Sequence, residues 1–531
     1  MKIFVVKILG LAITVAALIA CSDSNSSTNN DSAAGGRADS ASRTYDVVIL
    51  NGRVMDPDSE LDAVRNVGIA GNRIAIVTEE AISGIDTINA DGLAVVPGFV
   101  DTHIHGQSEH SHKMYVRDGM TSALSLENGS LQVSKFYDSR EGKALINYGT
   151  GVSHEMARIE VMDGVEGRED TYIYKNRALS AADGVKSWDT EIPSEAQLQQ
   201  IYALLHEGMK HGGLMVNSLA GYVTNTLSTR ELWEIQKIAK EYNRGVGVHP
   251  RFGPFNKIPI EYPLGYKEVI ANAAVLGQPI LLSHNNNQGW QEIVEMTQKG
   301  RENGLVIWAE QYPYTSGGPN AGNSIVAPSN MKKMGFKIEE SVFDPETGQF
   351  LSEDELVEMR KTNPGKNLVA FLRPKEWVAQ WVATPELSIA SDSFSMFVGD
   401  DLLPVEAPYS EYIGHPRAAG TRAKSLRIAR EHEIPLMLVV NNAGAFPARM
   451  LCASGIEPMC ERGKIQAGAI ADITLFDPET VTDNSDYAPG KNGLPSTGIP
   501  YVLVSGKVVV RDSKVNLSSR AGQPIRSAII N

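Results

Sequence analysis

Cysteine is scarce: 3 in 531 residues, with no CxxC pair and no Cys/His finger spacing, which excludes zinc-finger and thioredoxin-like readings. Phosphate-cradling loops are missing too, since neither a GxGxxG nor a Walker pattern occurs. No GxSxG elbow marks a serine nucleophile. Basic residues are in deficit, 49 Lys+Arg against 63 Asp+Glu for a net charge of −14, which argues against nucleic acid held by phosphate neutralisation. The 48 glycines and 26 prolines follow no period, so collagen-like and repeat architectures are excluded. What remains is the composition of a folded protein, 42% hydrophobic and 21% charged. At roughly 150 residues per domain the length suggests three domains, although a barrel can run longer as one unit.

Residues 1–20 form the one extended apolar stretch. Lys2 and Lys7 precede an unbroken run from Ile8 to Ala20, the pattern of a secretory leader. At 1.5 Å per residue that run spans about 20 Å, short of the ~30 Å hydrocarbon core, so a permanent membrane helix fits less well. Leu18-Ile19-Ala20-Cys21 resembles a bacterial lipobox, which implies lipidation at Cys21, export, and anchoring to a membrane; Ser22 after the cysteine implies the periplasmic side of an outer membrane. The Ser/Asn/Asp/Ala/Gly-rich segment that follows reads as a flexible tether over 21–44. Cys452 and Cys460 are left, eight residues apart, and are either bridged or a pair of buried thiols.

The two ends read as strands. Asp46 to Val54 is dense in β-branched residues with an Asn51-Gly52 turn, and Lys464 to Asp477 and Pro500 to Asp512 mirror it. One small sheet domain assembled from 45–97 and 462–531 is therefore expected, around a central domain over 98–461. In that centre, capping-box spacings at Ser194-x-x-Gln197 and Ser228-x-x-Glu231 open amphipathic helices, each followed by a short apolar run. Repeated strand–helix alternation over about 350 residues predicts an α/β fold, a parallel-strand barrel; a doubly wound open sheet is the alternative.

Chemistry gathers at the ends of these apolar runs. Val95 to His105, VVPGFVDTHIH, delivers His103 and His105, which a strand's period of two puts on one face, able to converge on one metal ion. His249 ends GVGVH, His284 ends PILLSH and Asp392 ends LSIASD. Barrel enzymes carry their working residues at the C-terminal ends of strands, so these addresses reinforce one another.

PGFVDTHIH, the later histidines, the Ser391-Asp392 pair and the terminal KIQAGAIADITLFDP stretch resemble the amidohydrolase superfamily. Within it, Val152-Ser-His-Glu-Met-Ala-Arg158, Glu310-Gln-Tyr-Pro-Tyr314 and His415-Pro-Arg417 resemble the N-acyl-D-amino-acid deacylases, or D-aminoacylases. The resemblance implies a distorted (β/α)8 barrel with a small β-sandwich built from both ends. It implies that His103 and His105, with Asp392, hold a weaker metal, and that His249 and His284 hold a tighter one, expected as Zn²⁺. Asp392 would be the general acid/base, with Arg417 and Tyr312 on the substrate carboxylate.

Two positions depart from the family pattern. Glu127 occupies the place of the family's bridging cysteine. A carboxylate there either bridges two divalent ions, accepting Mn²⁺ or Fe²⁺ as well as Zn²⁺, or stands behind a single one. In the His284-Asn285-Asn286 turn, Asn286 stands where the family's carboxylate-gripping lysine would be, which leaves the substrate side chain and the D preference open. His154 and the remaining histidines read as structural, and Glu109 as a solvated acid. The expected function is metal-dependent hydrolysis of a linear amide, an N-acyl-D-amino acid, to a carboxylate and a free amino acid. The alternatives are a cyclic amide or dipeptide substrate, and a surface lipoprotein that only binds.

Overall fold

The structure, a computed structural model, describes residues 44–530 apart from 168, 170–172, 182–186, 253–261 and 399–400. The leader, Cys21 and the tether up to residue 43 lie outside the described residues.

Eight parallel strands form the central sheet, paired in sequence order: β1 (Phe99–Asp101), β2 (Met120–Ser130), β3 (Asn147–Ser153), β4 (Val216–Ser218), β5 (Val246–Val248), β6 (Ile280–Leu282), β7 (Ile307–Gln311) and β8 (Leu387–Ile389). Among the described residues, ladder hydrogen bonds do not join β1 to β8 directly. Their continuations close the barrel instead, Ile104–His105 pairing in parallel with Ser393–Phe394. Asp101 clamps this seam from below. Its carboxylate accepts from the Ser391 backbone N–H at 3.2 Å and from buried Arg422 at 2.8 Å.

Strand periodicity separates two cores. Val100, Leu126, Leu281 and Trp308 point into the barrel and fill it, with Phe446 and Leu451 from the last helices and Ile525 from the C-terminal tail completing the plug. Their neighbours Ile280, Leu282, Ile307 and Ala309 face outward and meet the helical layer, including Leu205, Ile235 and Ile293. An odd/even split is what lets even strands as short as Ile280–Leu282 be buried on both faces.

The helices follow the sequence signals. Ser194 opens Glu195–Lys210 with a complete capping box. Ser228 accepts from the Glu231 N–H at the start of Thr229–Glu241, but the Glu231 carboxylate does not reach back to complete the box. It turns inward to His154 (2.9 Å) and Arg158 (2.6 Å), because a buried cation recruits a carboxylate more strongly than a solvated backbone N–H does. His154 is thereby structural.

A nine-stranded sheet draws on both chain ends: Ala94–Pro97 pairs with Tyr45–Asp56 on one side and with Ile473–Phe476 on the other. Val47, Ile69, Ile88, Ile473 and Leu503 share its core. Beyond Val515 the chain leaves this sheet and returns to the barrel, where Gln523 and Ile525 pair with the backbone of Tyr148 in β3. Cys452 and Cys460 form a disulfide, which settles the alternative the sequence left open.

Between β7 and β8 an insertion carries its own four-stranded sheet, built from Ser316–Gly317, Val342–Asp344, Gln349–Phe350 and Val369–Phe371. Its small core, with Val326, Met331, Leu356 and Leu368, lies beside the C-terminal mouth of the barrel. This cap was not anticipated from the sequence.

Candidate metal centre

Each strand-end residue reaches the mouth by a local backbone device. His103 and His105 flank the point where β1 breaks and resumes as the seam strand. His284 and Asp392, two and three residues past the ends of β6 and β8, both adopt left-handed backbone, φ 56° and 53°. Non-glycine residues pay for that conformation, and such strain concentrates where side-chain direction matters. Gly221 and Gly247 give the site room: a Cβ at Gly221 would meet the His249 ring at 2.4 Å, and one at Gly247 would lie 1.8 Å from the Leu126 carbonyl.

Glu127 organises the cluster. Its Oε1 lies 2.7 Å from both His249 Nδ1 and His284 Nε2. Its Oε2 lies 3.1 Å from both His103 Nε2 and His105 Nε2. One carboxylate thus addresses one histidine pair with each oxygen. Asp392 Oδ1 joins the His103–His105 side, at 3.4 and 3.1 Å, while its Oδ2 lies 3.6 Å from His284 Nδ1. A tetrahedral ion with ligands at 2.0–2.2 Å spaces its donors by roughly 3.3–3.6 Å, so both sets can relax slightly onto a divalent cation. The donors, imidazole nitrogen and carboxylate oxygen, suit zinc and also manganese or iron.

The electrostatics agree. Burial opposes a charge on His103, yet Glu127, Asp392 and Glu310 raise its pKa well above the ordinary value. Burial would likewise raise the Glu127 carboxyl, but the surrounding imidazoles hold it well below its usual range. His284 is pushed down to about 4, mainly by burial. The cluster therefore needs positive charge at its centre, which a proton supplies when a metal does not.

Glu310, on β7, was quoted in the sequence motif without a role. Its Oε1 takes a short hydrogen bond from His103 Nδ1, and its Oε2 accepts from Thr102 Oγ1 at 2.5 Å. That contact fixes the tautomer, leaving Nε2 free for a metal. The missed signal was a lone acid inside an apolar run, Ile307–Gln311.

Arg417 places its guanidinium 2.8 Å from Asp392 Oδ2 and over the Tyr312 ring at 4.8 Å. Burial would raise the Asp392 carboxyl, but Arg417 and then the imidazoles hold it below its ordinary value. Tyr312 meets the His284 ring edge-on at 6.0 Å. Asn286 is corrected: it is fully buried, donates to the Tyr312 carbonyl at 3.3 Å, and does not line the cavity. The left-handed turn at His284 sends Asn285 and Asn286 into the core and Asn287 to the cavity wall. Glu109 forms an exposed pair with Arg520, while burial pushes His110 down to about 4 and His112 to about 3.

The cluster opens into a cavity of about 990 Å³, walled by Tyr222 and Trp188 on one side and by the cap residues Asn323, Ile325 and Arg373 on another. A parallel barrel with paired histidines around one acid, and a second acid after the last strand, is an arrangement that could hold divalent ions beside an open cavity. No family model matches the chain. D-aminoacylase from Alcaligenes xylosoxydans xylosoxydans is 22% identical over 513 residues, covering 88% of this chain and 95% of that protein. N-acyl-D-glutamate deacylase from the same organism is 24% identical over 505 residues, covering 87% and 93%. A crystal structure of N-acyl-D-glutamate deacylase from Bordetella bronchiseptica, complexed with zinc and a phosphonate inhibitor, superposes with a TM-score of 0.71 at 21% identity, over 91% of this chain and all of that one. Over nearly its whole length the chain is thus similar in sequence to D-aminoacylase and N-acyl-D-glutamate deacylase, and in fold to the latter.

Proposed function

We propose that the protein hydrolyses N-acyl-D-amino acids to a carboxylate and a free D-amino acid. The observation that carries this reading is the division of the two Glu127 oxygens between two histidine pairs, with Asp392 beside both, at the floor of an open cavity. His103, His105 and Asp392 would hold one divalent ion and His249 and His284 the other, zinc in the first instance, with Glu127 shared. A cation so held supplies an activated water and a Lewis acid for the scissile carbonyl. Asp392 takes the proton from the attacking water and returns it to the departing nitrogen, without which an amide leaves poorly. Arg417, against Asp392 Oδ2, keeps that carboxylate ionised. Tyr312 and Arg417 face the cavity, where a substrate carboxylate would lie.

The test compares N-acetyl-D- and N-acetyl-L-amino acids with the unaltered enzyme and with Asp392→Asn. D-selective amine release that drops about 10²- to 10⁴-fold in the variant is expected. Release from cyclic amides alone would move the reaction to the cyclic-amide branch, and turnover that ignores Asp392 would refute the mechanism. We further propose that the chain is exported and carries lipid at Cys21, on the strength of the Leu18–Cys21 sequence. The mass of the mature N-terminal peptide tests this: a diacylated cysteine is expected, and an unmodified Cys21 behind an intact leader would refute it.

A further inference from the structure

Resting on that reading, we infer that Arg373, carried by the cap, is the residue that grips the substrate carboxylate in place of the lysine missing from the His284-Asn285-Asn286 turn. Arg373 lies two residues beyond Val369–Phe371, which pairs with Ser316–Gly317. Asn287 positions its guanidinium: Arg373 Nε donates to Asn287 Oδ1 at 2.8 Å, and Asn287 Nδ2 donates in turn to the carbonyl of His284 at 3.3 Å. The cation stands 5.5 Å from the centre of the Tyr312 ring, which Arg417 also overlies.

Arg373 lines the cavity, and what marks its guanidinium for a ligand is Nη1, a buried atom with no hydrogen-bond partner among the described residues. A buried cationic N–H left unpaired is costly unless something arrives to pair it. The recess it faces is defined by two glycines. A Cβ at Gly317 would meet only Arg373 Nη1 and Tyr312 Oη, each 3.7 Å away; one at Gly318 would lie 3.3 Å from Arg417 Nη2. Arg373 Nη1 and Tyr312 Oη therefore border the space beside Gly317, and Arg417 Nη2 borders that beside its neighbour Gly318. A carboxylate is the group that accepts from all three, and guanidinium forks match its planar geometry. Arg417 is already engaged with Asp392, so the recess relies on Arg373 for its uncommitted charge. The family's cation comes from the turn after β6; here it comes from the cap, which makes the cap a determinant of which substrates are accepted.

The test uses the full-length purified enzyme and the N-acetyl-D-amino acid it turns over fastest, alongside the same compound as its carboxamide. Arg373→Met should lower kcat/KM for the acid by about 10- to 150-fold, the range of a charge-assisted hydrogen bond, mostly through KM, and leave the carboxamide within a few-fold. Arg373→Lys should restore part of the preference. Gly317→Ala, which the backbone and its surroundings accommodate, should raise KM for the acid by filling the recess. Metal content should be unchanged in all three variants. Equal losses on acid and carboxamide, or loss of metal, would reduce Arg373 to a brace for the His284 loop and overturn the inference. An acid preference that survives in Arg373→Met would overturn it as well. If the unaltered enzyme releases amine from no N-acyl-D-amino acid, the proposed function fails first and takes the inference with it.

Discussion

Replacing Glu127 with Gln isolates what the bridging carboxylate does. The change keeps size and shape but leaves one oxygen and one amide nitrogen where two oxygens stood. Oε1 lies 2.7 Å from two imidazole nitrogens and Oε2 lies 3.1 Å from two others, so whichever end the amide nitrogen takes, one histidine pair loses an anionic ligand. The site also loses one of the two carboxylates, Glu127 and Asp392, that neutralise bound cations. A unit charge at 4 Å is worth about 4 kcal/mol at an effective dielectric of 20, about a thousandfold in metal affinity. Metal per chain, measured after dialysis against a graded chelator, should fall to one ion or fewer in Glu127→Gln, with the remaining ion bound about a thousandfold more weakly. Calorimetric titration with zinc gives the affinities directly. Two ions bound as tightly as in the unaltered protein would refute the bridge and leave Glu127 as an acid behind a single-metal site.

Glu310→Gln should weaken zinc binding by about 10- to 100-fold while leaving every direct ligand in place, because it removes the acceptor that orients His103; calorimetry checks this. Acidification should release metal. The neighbouring carboxylates raise His103 above its ordinary pKa, so an ion must displace a proton there, and affinity should climb as pH rises through that elevated range. Equal zinc affinity at pH 6 and pH 8 would contradict the assignment. Replacing Cys452 and Cys460 with Ser opens a loop with a sequence separation of 8, and should cost about 2.5 kcal/mol of stability under oxidising conditions and nothing under reduction, measured by denaturant unfolding.

The candidate ligands at the strand ends were legible because each combines two independent signals: an apolar run and a polar residue that stops it. His103, His105, His249, His284 and Asp392 all carry both, and the fold brings them together around Glu127 from beyond the ends of β1, β5, β6 and β8. Glu127 became legible only through its place in a family pattern, since nothing local distinguishes it within the fully buried strand Met120–Ser130. Glu310 sits one residue short of the end of β7, and a single acid in a five-residue run carries no periodic signal. The cap escaped because its strands are two or three residues long and two of its pairings, Ser316 with Phe371 and Val342 with Ala370, join positions far apart in the chain, so no window along the sequence contains a pattern. Arg373 escaped with it. Asn286 was misplaced for a conformational reason: spacing alone does not reveal the left-handed turn at His284 that rotates the next two side chains inward. Ser228-x-x-Glu231 had the spacing of a capping box, but a buried His154–Arg158 pair outcompeted the backbone for its acid.

The central claim, that a metal ion held by this cluster performs the hydrolysis, is tested most directly by reconstitution. The purified protein is stripped with chelator, zinc is returned in increments, and bound metal and amine release from an N-acetyl-D-amino acid are measured on the same samples. The account predicts no release from the stripped protein, activity that rises with bound metal and saturates at no more than two ions per chain, and little release from the L series. Full activity in the stripped protein, or a metal-saturated protein that releases amine from neither series, would contradict it.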